Sequence, residues 1–155
     1  MTDVNVIINE KIEKFGKERQ ALMPILQGIV ADKNYITEDE LLEVAKALDL
    51  SGAEVFGTAT FYTFLEVKPL GKYVIRVCKT ISCHMSGKDE IIHTLENTLG
   101  IKLGETTPDK KFTLKQANCM GWCHKGPVML INDEVYPELT PEKAIAIIQE
   151  YSSKK

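Results

Sequence analysis

The chain has 155 residues, 44% of them hydrophobic and 26% charged, with a net charge of −3. That length fits one domain, or one domain with a substantial extension, and the composition is that of a chain able to bury a core. A mildly acidic balance argues against a nucleic-acid binder, which carries clustered basic surface.

The start, MTDVNVIINEKIEK, lacks a basic segment followed by an apolar run, so no secretory leader is expected. No stretch approaches the roughly 18 apolar residues needed to span a bilayer, so no membrane insertion is expected either. A cytoplasmic location follows as the expectation. The charge is unevenly placed, with 7 basic and 12 acidic side chains in residues 1–70 against 12 and 10 in residues 71–155.

Taken in order, Ile8, Ile12 and Phe15 recur at helical spacing and suggest a first helix. Leu22, Ile25, Leu26, Ile29 and Val30 form a cleaner stripe, with Pro24 suited to a first helical turn. A third helix begins at Thr37, where Thr37–Glu40 reads as a capping box and Leu41, Val44, Ala45 and Leu48 face inward. A fourth follows Ser51, with a second capping box to Glu54. It carries Val55, Phe56, Ala59, Tyr62 and Leu65, and the aromatic run Phe56, Phe61, Tyr62, Phe64 reads as bundle core. Residues 1–66 therefore predict a small helical bundle.

Pro69 and Gly71 punctuate the chain, and the periodicity then changes. Residues 72–78 read as a strand, 88–99 as a helix stopped by Gly100, and 112–117 as a second strand. Residues 127–132 read as an apolar strand, 134–136 as an edge strand, and Thr140-Pro141-Glu142 as the cap of a last helix with Ala144, Ile147, Ile148 and Tyr151 inward. The predicted order is a small mixed sheet with two helices.

The four cysteines fall in two pairs, Cys78/Cys83 and Cys119/Cys123, spaced C-x4-C and C-x3-C with 35 residues between. Each pair is expected in a loop leaving a strand end, so that the two loops lie side by side. Such thiols suit an iron–sulfur cluster, a zinc ion or two disulfides. In a reducing cytoplasm the disulfides are disfavoured. On spacing alone zinc and a [2Fe–2S] cluster fit equally.

Lys79 and Lys125 are near the thiols in sequence, and Gly121 and Gly126 leave backbone N–H groups free to approach sulfur. Both features would favour an anionic cluster. His84 and His124 each follow a cysteine, but four cysteines already complete a ligand set. Met120 and Trp122 read as shielding or loop packing. There is no G-x-G-x-x-G after a strand and no G-x-x-x-x-G-K-[ST], so the chain by itself is not expected to bind NAD, FMN or ATP. No catalytic residue stands out, and the chain reads as a carrier of electrons.

The segments VCKTISCHMSGKDEI, LGIKLGETTPDKKFTL and CMGWCHKGPVMLINDEVYPELTPEKA resemble the thioredoxin-like [2Fe–2S] ferredoxin subunits of NADH-linked complexes. The helical half is similar too, with G-x-A-T-F-Y at Gly57–Tyr62. The resemblance runs from about Leu22 to Tyr151. It implies an α+β chain: an N-terminal helical bundle over residues 1–70 that docks a partner, then a thioredoxin-like [2Fe–2S] domain over residues 71–155. It further implies a [2Fe–2S] cluster held by Cys78, Cys83, Cys119 and Cys123.

In that family the subunit packs on an FMN- and NAD(H)-binding flavoprotein and exchanges single electrons with the iron–sulfur and catalytic subunits of one complex. By itself such a subunit is not catalytic. His84 and Trp122–His124 stand where relatives often carry other residues. The compact form favours a bifurcating [FeFe]-hydrogenase, with the small peripheral-arm subunit of complex I or of an NAD-dependent formate dehydrogenase as the alternative. A zinc-stabilised interaction module is the reading from a different class, and an independently diffusing ferredoxin is a third.

Overall fold

The computed structural model describes residues 3–154, and these form two compact units, 3–70 and 71–154. The first unit holds α1 (Val4–Phe15), α2 (Leu22–Lys33), α3 (Glu38–Leu48) and α4 (Gly52–Phe61). The second holds β1 (Tyr73–Cys78), α5 (Ile81–Met85), α6 (Lys88–Leu99), β2 (Phe112–Ala117), β3 (Met129–Ile131), β4 (Glu134–Tyr136) and α7 (Pro141–Ser153). Among the described residues no helix is long and apolar enough to cross a membrane.

The helical unit is held by the stripes read from its sequence. Ile8, Leu22, Ile25, Leu26, Ile29, Leu41, Val44, Leu48 and Val55 share one buried core, with Ile12 and Val30 at its edge. Full burial of such aliphatic side chains contributes about 1.5–3 kcal/mol each, so the core outweighs any single cap. Helix α1 lies close on α2 at Gly28, where an added Cβ would sit 2.8 Å from the Ile7 side chain.

Thr37 and Glu40 form the full reciprocal box at the start of α3. Ser51 accepts from the Glu54 N–H at the start of α4, but the Glu54 carboxylate turns to Arg19 at 3.1 Å, so only the forward half of that box forms.

The aromatic run corrects the sequence expectation. Phe56, Phe61, Tyr62 and Phe64 are all exposed, Phe61 by 77%. Val55 and Ala59, four apart, already define the inward face of α4, and Phe56 falls a third of a turn off it. The helix ends at Phe61, so Tyr62 sits in extended backbone and loses the helical phase that would have turned it inward. Phe15, at the end of α1, is exposed as well.

The second unit is built on a four-stranded sheet in the order β2-β1-β3-β4. β1 pairs in parallel with β2, from Tyr73↔Phe112 to Cys78↔Ala117, and antiparallel with β3. The parallel pair requires a crossover, which α6 supplies. One face of the sheet, with Ile75, Val77, Leu114, Met129 and Ile131, packs with Ile91 and Leu95 of α6 and Ala144, Ile148 and Tyr151 of α7.

β3 is shorter than expected, because Pro127 has no N–H to donate and Asn132 turns the chain with positive φ. At the start of β1, Gly71 touches backbone: an added Cβ would lie 2.9 Å from the Phe112 carbonyl carbon and 3.0 Å from that of Lys111. At the far end, Tyr136 and Tyr151 both donate to the Glu134 carboxylate and tie α7 to β4.

Glu40 joins the α3 cap to α2 through Lys33, 2.6 Å away. Burial acts to raise its carboxyl, but the Lys33 ammonium and the Thr37 N–H and hydroxyl outweigh it and hold Glu40 below the usual carboxylate range. A lowered folded value means stabilisation present above the ordinary carboxylate pKa and lost as pH falls through the folded one. Glu40→Ala is therefore expected to cost about 1–2 kcal/mol at pH 7. The gap from the unsubstituted chain should narrow at pH 3, read from urea unfolding midpoints. An equal gap at both pH values would assign the loss to packing rather than charge.

Candidate metal centre

The sheet brings both cysteine segments to one edge. Cys78 is the last residue of β1 and opposes Ala117, the last of β2, so the parallel register aims both chain exits the same way. Lys79 N–H donates to Ala117 O, and Cys78 N–H donates to Val128 O, which fixes the incoming segment before β3 as well. The expected pair of loops is more ordered than its sequence suggested. Cys83 lies on the short helix α5, and Cys123 opens a 3-10 turn, Cys123–Lys125.

The sulfurs associate two and two. Cys119 and Cys123 Sγ are 3.2 Å apart, and Cys78 and Cys83 lie near enough for each to act on the other's thiol. The pairs are adjacent, since the Met120 N–H reaches Cys78 and the Cys123 sulfur feels Cys78 electrostatically. Their surroundings differ: Cys78 and Cys83 are each 2% exposed, whereas Cys119 and Cys123 are exposed. Among the described residues no three His, Cys, Asp or Glu side chains are grouped so as to hold a single metal ion.

Donors surround these sulfurs. Gly121, at φ +84°, gives its N–H to Cys119 Sγ at 3.4 Å. Val128 N–H faces Cys83, and the Ser82 hydroxyl faces Cys123. Thr80 addresses Cys78 with both hydroxyl and N–H.

Burial alone would raise the Cys78 thiol, but these donors outweigh it and hold Cys78 below the ordinary thiol value. Burial, then the neighbouring Cys78, pushes Cys83 up, and Cys119 pushes Cys123 up. Thiols that compete for charge when crowded together suit a site where a cationic centre takes up that charge. Two thiol pairs with N–H and O–H donors directed at sulfur fit a sulfur-ligated, anionic cluster, which takes two thiolates at each iron.

Gly126 contributes room as well. An added Cβ would lie 3.3 Å from Cys83 Sγ and 3.5 Å from Ser86 Oγ, so the missing side chain makes room for the buried sulfur. His84 is engaged by Asp89, Nδ1 to Oδ2 2.8 Å, and His124 stacks on Trp122 with ring centroids 6.0 Å apart. Met120 is half-buried, and Trp122, Ile81 and Met85 are exposed around the thiols. Sequence reasoning missed Thr80 and Ser82. Their signal was available, as hydroxyls two residues after Cys78 and one before Cys83, but only the turn into α5 shows which sulfur each one meets.

Comparison with known proteins places this arrangement. The model of the family described as thioredoxin-like [2Fe–2S] ferredoxin matches residues 8–152. NADH-quinone oxidoreductase subunit 2 of Thermus thermophilus is 37% identical over 138 residues, which cover 88% of this chain and 76% of that protein. An NADH-quinone oxidoreductase subunit of Rickettsia felis is 40% identical over 147 residues, covering 94% and 87%. Among solved structures, an air-oxidized NAD+-reducing [NiFe]-hydrogenase matches with a TM-score of 0.68 at 26% identity, over 75% of this chain and 20% of that one. The chain thus spans about a fifth of that hydrogenase chain. The family match takes in both compact units and all four cysteines, and this chain belongs to the thioredoxin-like [2Fe–2S] ferredoxin family.

Proposed function

We propose that this chain is the electron-transfer subunit of a multisubunit NAD(H)-linked oxidoreductase, with Cys78, Cys83, Cys119 and Cys123 as the ligands of its [2Fe–2S] cluster. The observation that carries the reading is the meeting of two thiol pairs at one sheet edge, with hydrogen-bond donors aimed at their sulfurs. When bound, such a cluster supplies a one-electron couple, and its four-thiolate form goes from −2 to −3 on reduction. The residues do the rest. Buried Cys78 and Cys83 anchor the site on β1 and α5, exposed Cys119 and Cys123 turn the other side outward, and backbone N–H groups offset negative charge on sulfur.

The relatives named as NADH-quinone oxidoreductase subunits, and the hydrogenase that reduces NAD+, support a place beside an FMN- and NAD(H)-binding flavoprotein and a further iron–sulfur or catalytic subunit. The exposed aromatics Phe56, Phe61, Tyr62 and Phe64 of the helical unit support a docking role for that unit. The resemblance of the compact form favours a bifurcating [FeFe]-hydrogenase within this class, and the identities to NADH-quinone oxidoreductase subunits favour the complex I type. The subunits that co-purify from the native source decide between them. A cytoplasmic location belongs to the same reading.

Low-temperature EPR of dithionite-reduced protein purified without oxygen, with iron and zinc assayed together, is the primary test. An S = 1/2 signal near one spin per chain with about two irons is expected. A silent, colourless sample holding zinc would overturn the reading in favour of a structural module. Cys119→Ala should lose most of that iron, and a normal, fully loaded cluster in this variant would remove Cys119 from the ligand set. Gly126→Ala should lower cluster loading while leaving the far-ultraviolet spectrum unchanged, because its methyl meets Cys83 Sγ at a distance tighter than most contacts. In pull-downs from the native source, Phe61→Glu should weaken capture of the flavoprotein about tenfold, with cluster content unchanged. Undiminished capture would move the docking face elsewhere.

A further inference from the structure

Four helices of this chain begin at a hydroxyl residue: α3 at Thr37, α4 at Ser51, α5 at Thr80 and α7 at Thr140. Three of these side chains accept a hydrogen bond from the first turn, as N-caps do. Thr80 does not. Its backbone has the extended cap geometry, φ −73° and ψ 161°, yet its side chain makes no capping bond. Oγ1 lies instead 3.1 Å from Cys78 Sγ. The hydroxyl has forgone the ordinary use of its position and turned to a sulfur.

Between a thiol and a hydroxyl either atom is able to donate. A ligating thiolate has no proton, so there the hydroxyl must be the donor. Cys78 is 2% exposed, so water does not replace this bond when it is lost. Ser82, two residues on, turns its hydroxyl to Cys123 of the other pair, but that sulfur is exposed and water stands ready in its place. Of the two hydroxyls, Thr80 therefore holds the stronger position.

Resting on the cluster reading above, we propose that Thr80 is a positioning residue that raises the reduction potential of the cluster by donating its hydroxyl hydrogen bond to the Cys78 thiolate. Reduction adds one electron and one unit of negative charge to the cluster. A donor to sulfur favours the more negative state, and its removal makes reduction harder.

The test is EPR-monitored potentiometric titration of the full chain, cluster-loaded, with Thr80→Val, Thr80→Ser and Ser82→Ala beside the unsubstituted protein. Thr80→Val keeps the shape and removes the donor. Its equilibrium constant for reduction is expected to fall about tenfold, which is about 59 mV for one electron. Thr80→Ser should stay with the unsubstituted chain, and Ser82→Ala should move less than Thr80→Val.

A fully loaded Thr80→Val with an unchanged midpoint would overturn the proposal and leave the cluster reading intact. Should Thr80→Val hold no cluster, Thr80→Ala is titrated in its place. Loss of the cluster from both, with Thr80→Ser loaded, would overturn the proposal by assigning the hydroxyl to cluster retention. A colourless, zinc-bearing unsubstituted chain would overturn the cluster reading and this proposal with it.

Discussion

The parallel pairing of β1 with β2 is the constraint on which the site depends. Parallel strands end on the same edge of a sheet, so the two stretches leaving Cys78 and Ala117 emerge side by side although 38 residues lie between them in sequence. An antiparallel partner would have sent one of them to the opposite edge. The crossover helix α6 makes the parallel pairing possible, and its buried Ile91 and Leu95 hold that helix to the sheet. β3, antiparallel on the other side of β1, then brings Val128 to the same edge, where its carbonyl takes the Cys78 N–H and its own N–H faces Cys83.

The site that results is two-sided. One thiol pair is enclosed by the sheet edge and α5, and the other lies on an exposed turn that also carries the exposed Trp122. The enclosed side is where hydrogen bonds to sulfur are least diluted by water. The open side is where charge reaches the surface over the shortest path. An electron carrier needs both, a side that defines the couple and a side through which a partner reaches it.

Much of this was legible in the sequence, for physical reasons. Strong 3.6-residue stripes such as Leu41–Leu48, and strands bounded by Gly71 and Pro127, report their own burial. The cysteine pairs announce themselves because four thiols at such spacing mark a metal centre, although spacing alone fits zinc and a [2Fe–2S] cluster equally. What escaped depended on contacts remote in the chain. α5 is too short to show a period, so the helical setting of Cys83 was hidden, and with it the direction of the Thr80 and Ser82 hydroxyls. Phe56 and Tyr62 misled because apolar character is equally the mark of a core and of a surface awaiting a partner. The space that Gly126 leaves for Cys83 Sγ escaped as well, since it is invisible without the fold.

Two glycines outside the site bear on how this chain is able to diverge. At Gly28 a side chain would strike the Ile7 methyl, and a smaller residue at position 7 restores the space. That constraint is a bargain between two positions, open to paired replacement during descent. At Gly71 a side chain would strike the main chain at Lys111 and Phe112, and no change of side chain moves those atoms. Drift therefore has a compensated route through the helical unit and none through the point where the sheet begins. Lineages of this chain are expected to vary positions 7 and 28 in concert, while position 71 stays fixed.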